Sequence, residues 1–174
     1  MRFEQTKLKE VLIVHQEVMS DNRGFFSRVY CEQTFNKTGL NFTAKQINRS
    51  LSLNKFTLRG LHYQINDSAE EKFIRVIKGS IWDVAVDVRP ESPTYLRYVG
   101  VNLDAVSSHG IFIPKGFAHG MLTMSDDTEI EYIVSSSYSP ANERGLRWND
   151  PSLGITWPQE PKYMSEKDST WKFL

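Results

Sequence analysis

The sequence carries a single cysteine, Cys31, among 174 residues. One thiol can form neither an intrachain disulfide nor a thiolate cluster, so disulfide scaffolds and multi-cysteine metal sites are excluded. Nothing nearby in sequence would activate that thiol, and Cys31 is expected to be a small buried hydrophobe. Long apolar runs are missing as well. The longest purely aliphatic stretch, Val11-Leu12-Ile13-Val14, is far short of the ~20 residues that cross a bilayer as a helix. The opening residues Met1-Arg2-Phe3-Glu4-Gln5 have no secretory h-region, so the expected setting is cytoplasmic with no membrane partner. Neither sign of charge is in excess: 21 Lys and Arg balance 21 Asp and Glu. A nucleic-acid partner is not expected, because a polyanion binder normally carries a basic surplus.

What is present is a strand pattern. The length fits one domain over residues 1–174, and 40% apolar and 12% aromatic residues supply a core. Alternation and β-branched or aromatic runs, bounded by turn residues, predict strands at Val11–Val14, Phe25–Tyr30, Phe42–Ser50, Thr57–Gln64, Lys72–Ile77, Ile81–Val88, Tyr95–Leu103, Gly110–Ile113 and Thr128–Ser137. Lys78-Gly79-Ser80 reads as a hairpin turn and Arg89-Pro90-Glu91-Ser92-Pro93 as a second turn. Only Glu32–Lys37, closed by Gly39 as its C′ residue, has good helical character early in the chain. The fold is therefore expected to be nearly all-β, a sandwich or barrel. Trp148, Trp157 and Trp171 in the proline-rich tail are expected to wrap it as a packing lid.

Two histidines fall where strand ends meet loops. In Leu58-Arg59-Gly60-Leu61-His62-Tyr63-Gln64, alternation puts Arg59, Leu61 and Tyr63 on one face and His62 with Gly60 on the other. In Ile113-Pro114-Lys115-Gly116-Phe117-Ala118-His119-Gly120, the Pro-x-Gly turn can aim His119 back at the sheet. Either histidine alone reads equally well as a satisfied core group. These segments resemble the two signature stretches of the cupin jelly-roll superfamily, which bind a metal through histidines and a glutamate. Here, though, Gln64 stands where a second histidine would be, and neither Glu70 nor Glu71 is placed convincingly. Too few ligands remain for the about three that a transition metal favours, so no metal is expected. A possible cavity with His62, His119, Lys72, Arg59, Tyr132 and Tyr138 suits proton transfer beside an anion. Abstraction of a proton next to a carbonyl requires a base, a group for the enolate oxygen and a proton donor, and His62, Lys72 and Tyr132 could supply them. Read individually, Lys72 is as readily a solvated lysine and Tyr132 a strand aromatic.

Over essentially its full length the chain resembles the dTDP-4-dehydrorhamnose 3,5-epimerase family. The resemblance rests, in chain order, on Asp21-Asn22-Arg23-Gly24-Phe25-Phe26, Gln46-Ile47-Asn48-Arg49-Ser50, the first histidine segment, Asp83 to Arg89, Ser92-Pro93-Thr94, the second histidine segment, Trp148-Asn149-Asp150-Pro151 and Ser165-Glu166-Lys167-Asp168. It implies a cupin-type jelly-roll (double-stranded β-helix) barrel with short peripheral helices, and a cofactor-free isomerase. The implied reaction inverts C3 and, with it, C5 of a dTDP-4-keto-6-deoxyhexose, for deoxysugar biosynthesis. His62 is implied as base oriented by Asp168, Lys72 as the enolate's stabiliser and Tyr132 as the opposing acid. Arg23 and Arg59 are implied to hold the diphosphate, where a guanidinium fork makes bidentate contacts. Gln46, Asn48, His119 and Tyr138 match pocket positions. The family forms homodimers in which N-terminal strands cross over, so that Arg23 and Phe26 can serve the neighbour's site. Arg28 departs from the pattern: many members have a glutamate there that helps recognise the nucleobase. A 3-only epimerase on a related nucleotide sugar, a metal-dependent cupin oxygenase and a non-catalytic sugar- or nucleotide-binding jelly roll are the rival readings.

Overall fold

The structure, a computed structural model, describes residues 1–174. Four short strands open the chain: β1 (Arg2–Gln5), β2 (Leu12–His15), β3 (Val18–Asp21) and β4 (Gly24–Ser27). Helix α1 (Glu32–Lys37) follows, then β5 (Gln46–Ser52), β6 (Leu58–Gln64), β7 (Lys72–Lys78), β8 (Ser80–Asp87) and β9 (Tyr98–Asp104). The chain continues through β10 (His109–Ile113), β11 (Phe117–Thr123), β12 (Thr128–Val134) and β13 (Glu143–Gly145) and ends in α2 (Glu166–Thr170). All pairings between these strands are antiparallel. They build a six-stranded sheet in the order β1-β2-β10-β7-β12-β5, a five-stranded sheet in the order β13-β6-β11-β8-β9, and a separate β3-β4 hairpin. This is the jelly-roll layout expected from the sequence, with one correction: the two sheets face each other but do not close into a barrel.

The layers explain why so many strands read as almost continuously apolar. Between the sheets lies a core that includes Ile74, Val76, Ile81, Ala85, Ile111, Met121 and Ile130. The outer face of the six-stranded sheet is covered by α1, whose Phe35 packs with Phe42, Phe73 and Phe112. The outer face of the five-stranded sheet is covered by the C-terminal segment, where Leu146, Leu153 and Trp157 meet Leu61, Val84 and Val86. With apolar partners on both faces, alternation fades into an unbroken hydrophobic run.

Several expectations shift. Gly79 does turn the chain, at φ +81°, but β7 and β8 belong to different sheets, so the turn is a corner and not a hairpin. Pairing depends on what the sheet offers each strand, which a tight turn does not report. The strand anticipated at Phe25–Tyr30 stops at Ser27 and that at Phe42–Ser50 begins at Gln46. Tyr95–Arg97 belongs to the turn that Asp87 organises: its buried carboxylate accepts hydrogen bonds from Arg89, Ser92 and Thr94. Burial alone would raise the Asp87 carboxyl, but these bonds hold it far below the usual carboxylate range. Cys31 is half-buried at the N-cap of α1 rather than fully enclosed. Strand β11 was not anticipated because His119-Gly120 interrupts its apolar pattern.

That interruption is a β-bulge. Met121 pairs with Arg59 and His119 with His62, so Gly60 and Leu61 together oppose the single Gly120. The extra residue resets the alternation, which corrects the expected faces. Arg59 and His62 both line the space between the sheets, while Leu61 packs outward with Val84. Gly60 has φ +117°, and a Cβ there would lie 2.6 Å from Gly120 Cα and 2.7 Å from the His119 carbonyl oxygen. Gly60→Ala is therefore expected to cost at least ~1–3 kcal/mol through strain and backbone collision. Urea unfolding checks this: an unchanged midpoint would mean that the close approach is not required.

Candidate active site

Two adjoining cavities open between the sheets, about 640 Å³ and about 460 Å³, and both are lined by His62, Lys72 and Tyr132. They form one cleft with chemically different walls. His62 comes from β6 of the five-stranded sheet, whereas Lys72 and Tyr132 come from β7 and β12 of the six-stranded sheet. A molecule lying between the sheets therefore meets an imidazole from one side and an ammonium and a phenol from the other.

The imidazole is held by a carboxylate from the far end of the chain. His62 Nε2 lies 2.6 Å from Asp168 Oδ1. Asp168 is itself buried, with 3% exposure. The Gly60 N–H donates to its other oxygen at 3.2 Å, and the Asp168 N–H donates to Ser165 Oγ, the N-cap of α2, at 3.1 Å. Burial pushes the Asp168 carboxyl up, but the His62 hydrogen bond and charge outweigh it, so the group lies below its ordinary value and is ionised at neutral pH. A carboxylate can only accept, so Nε2 carries the proton and Nδ1 is left with a lone pair. The arrangement is that of an oriented base.

On the facing wall the Tyr132 phenol is raised, mainly by burial and secondarily by the charge of Glu70, with Arg59 opposing. It therefore keeps its proton at neutral pH and can donate it. Lys72 Nζ lies 3.2 Å from Glu70 Oε1, and their side chains are only 12% and 10% exposed. Glu70 lines the cleft and was not assigned there from sequence. Its signal was an acidic residue two positions before Lys72, in a segment otherwise read as a loop.

The remaining anticipated residues divide into two groups. Arg59, His119, Gln46, Asn48 and Tyr138 all line the cleft. Arg59 donates from Nε to Ser52 Oγ and from Nη2 to the Leu51 carbonyl, both at 3.0 Å, which fixes the plane of its guanidinium. His119 Nε2 donates to Asp83 Oδ2 at 2.8 Å, a fully buried carboxylate that sequence reasoning passed over as part of an apolar strand. Gln46 accepts the Tyr138 N–H at 2.8 Å. The Tyr138 hydroxyl donates to Glu143 at 2.9 Å, and Glu143 also pairs with Lys167, at 2.5 Å. By contrast, Arg23, Phe26 and Arg28 lie on or just beyond the β3-β4 hairpin, exposed, and this chain does not bring them to its own cleft. Arg23 instead pairs with Asp21.

No three His, Cys, Asp or Glu side chains are grouped so as to hold a metal ion. Gln64, at the position of the missing second histidine, is committed to backbone: its amide donates to the carbonyls of Ser68 and Ser137 and its oxygen accepts the Ser139 N–H. Base, cation and acid around a cavity suit deprotonation and reprotonation of a carbon acid.

Comparison with known proteins agrees with that chemistry. The family model described as dTDP-4-dehydrorhamnose 3,5-epimerase matches residues 5–174. The chain belongs to that family. It is 44% identical over 173 residues to the dTDP-4-dehydrorhamnose 3,5-epimerase of Salmonella typhimurium, covering 98% of this chain and 93% of the relative. The solved structure of the Bacillus anthracis enzyme with TDP and PPi bound superposes with a TM-score of 0.95 at 35% identity, covering 99% of both chains. A dTDP-4-dehydrorhamnose 3-epimerase from Streptomyces niveus is 32% identical over 169 residues, covering 97% of this chain and 81% of that protein. The cupin-type jelly roll and the isomerase class expected from the sequence stand; a non-catalytic sugar- or nucleotide-binding module does not.

Proposed function

We propose that this isomerase inverts C3 and C5 of a dTDP-4-keto-6-deoxyhexose by proton transfers in the cleft between its sheets, as a step of dTDP-rhamnose-type biosynthesis. The observation that carries the reading is the placement of His62 and Tyr132 on facing sheets, since inversion requires removal of a proton from one face of a carbon and delivery to the other. His62 Nδ1 takes the proton beside the carbonyl, and the Asp168 carboxylate stabilises the imidazolium. The electron pair moves onto the C4 oxygen, where Lys72 offset the negative charge. Tyr132 then donates its proton to the opposite face, and the carbonyl re-forms. Every group needed is a side chain, so the reaction uses no cofactor and no metal.

Arg59 is proposed to grip the diphosphate, with Gln46, Asn48, His119 and Tyr138 shaping the sugar site. The TDP and PPi held by the Bacillus anthracis relative support a nucleotide substrate. Higher identity to the 3,5-epimerases than to the 3-epimerase favours inversion at both carbons; the second reading, C3 alone, rests on that 3-epimerase relative and on Arg28. Proton NMR of the substrate in deuterated water decides. The account expects exchange at both C3 and C5 with wild type, and a loss of ~10²-fold or more in His62→Asn, the scale of general-base catalysis. Exchange at C3 alone would select the second reading. Near-normal exchange in His62→Asn would remove His62 as the base.

The same reading makes residues 1–174 one catalytic domain that works as a cytoplasmic homodimer. Exposed Val18, Met19, Phe25 and Phe26 on the hairpin, and exposed Ile47, Leu51 and Leu53 on and beside the edge strand β5, support the dimer. Monomers seldom leave such apolar surface and an open edge uncovered. Arg23, Phe26 and Arg28 would then complete the partner's cleft. Sedimentation is expected to give twice the 20.1 kDa chain mass; a monomer at micromolar concentration would overturn this part.

A further inference from the structure

Helix α2, which carries Asp168, has five residues. A helix of that length has little stability of its own, so the position of Asp168 depends on what anchors its two ends. Its start is capped by Ser165. At its end stands Trp171, expected from sequence to be part of a packing lid. The other two tryptophans fit that description: Trp157 packs against Trp82 and Trp148, and none of the three lines the cleft. Trp171 does not. Its ring lies 6.4 Å from the His62 ring, edge to face, and Lys167 sits over it at 5.9 Å.

The seat of that indole is Gly145, which pairs directly with His62 across β13 and β6. A Cβ on Gly145 would lie 2.0 Å from Trp171 Cε2 and 2.4 Å from Cδ2 and Nε1, so only glycine lets the ring settle there. The indole N–H is buried without a hydrogen-bond partner, which means that shape and contact, not a hydrogen bond, hold the ring. Beyond it the chain is tied down again. Arg147 Nη1 donates to the Trp171 carbonyl at 3.4 Å, and the Leu174 N–H donates to Asp150 at 2.6 Å.

We infer that Trp171, seated on Gly145, is a positioning residue: it latches the C-terminal strap so that Asp168 meets His62 and the imidazole keeps its orientation. The inference rests on His62 acting as the base. Removing the indole lets α2 and the imidazole drift without touching the diphosphate grip on Arg59. Misplacement of a reacting group by about 1 Å can cost on the order of 10²-fold in rate. A methyl group at position 145 produces the same displacement from the other side.

Deuterium wash-in and turnover of a dTDP-4-keto-6-deoxyhexose, with dTDP affinity by calorimetry, test this in the full-length protein. Trp171→Ala is expected to lower kcat on the order of 10²-fold, with KM and dTDP affinity retained, and Trp171→Phe to recover most of the rate. Gly145→Ala alone is expected to lower kcat similarly, yet to add no further loss in the Trp171→Ala background, because the methyl then has room. Wild-type kcat in either single variant, or independent and additive losses in the double variant, would overturn the inference. So would a fall in dTDP affinity equal to the fall in kcat, which would report general loss of structure. Should Trp171→Ala not fold, Gly145→Ala and Trp171→Phe carry the test. Absence of exchange in wild type would instead overturn the assignment of His62, on which this inference stands.

Discussion

The hydrogen bond between His62 and Asp168 joins residues 106 positions apart, and the function proposed for the cleft depends on it. An imidazole can present either nitrogen, and its ring can turn; the carboxylate removes both freedoms. It also compensates the positive charge that appears when the ring takes a proton. The bond exists because three features of the fold converge. A bulge at Gly60 turns His62 into the cleft and points the Gly60 N–H at Asp168, a capped turn of helix delivers the carboxylate, and burial keeps water from competing for it. None of these alone would fix the geometry.

The second constraint is that the cleft lies between two sheets. Each sheet is covered on its outer face, one by α1 and the other by the C-terminal segment, so the strands that carry the reactive side chains are held from both sides. Packing of this kind leaves few ways for a side chain to shift. Opposed walls then follow from topology: β6 and β11 bring the two carboxylate-paired histidines, His62 and His119, whereas β7 and β12 bring Lys72 and Tyr132. An inverting proton transfer needs that opposition.

Much of this was legible in the residues, and the failures have physical causes. Strands buried on both faces announced themselves as apolar runs, and Glu32–Lys37 with Gly39 marked α1 fully. His62, Lys72 and Tyr132 could be proposed from their chemistry, but Asp168 only through the family resemblance, because spacing along the chain does not encode a contact between distant segments. Alternation misplaced Arg59, since a bulge inserts a residue that no local pattern reveals. Strand β11 was hidden by Gly120, the residue that makes the close approach of Gly60 possible. Glu70 was weighed only as a metal ligand, and its pairing with Lys72 escaped notice; Asp83 and Trp171 were passed over because their types are ordinary for a strand and a lid, and only their neighbours in space bring them to the histidines.

The central claim is that base and acid act from opposite walls, and Tyr132→Phe tests it most directly because the ring remains and only the hydroxyl is lost. In deuterated water, proton NMR of the 4-ketosugar should show deuterium entering at the exchanging carbons with little net inversion, as His62 removes a proton, exchanges it with solvent and returns a deuteron to the same face. Full inversion by Tyr132→Phe at a rate near wild type would contradict the account and place the donor elsewhere in the cleft.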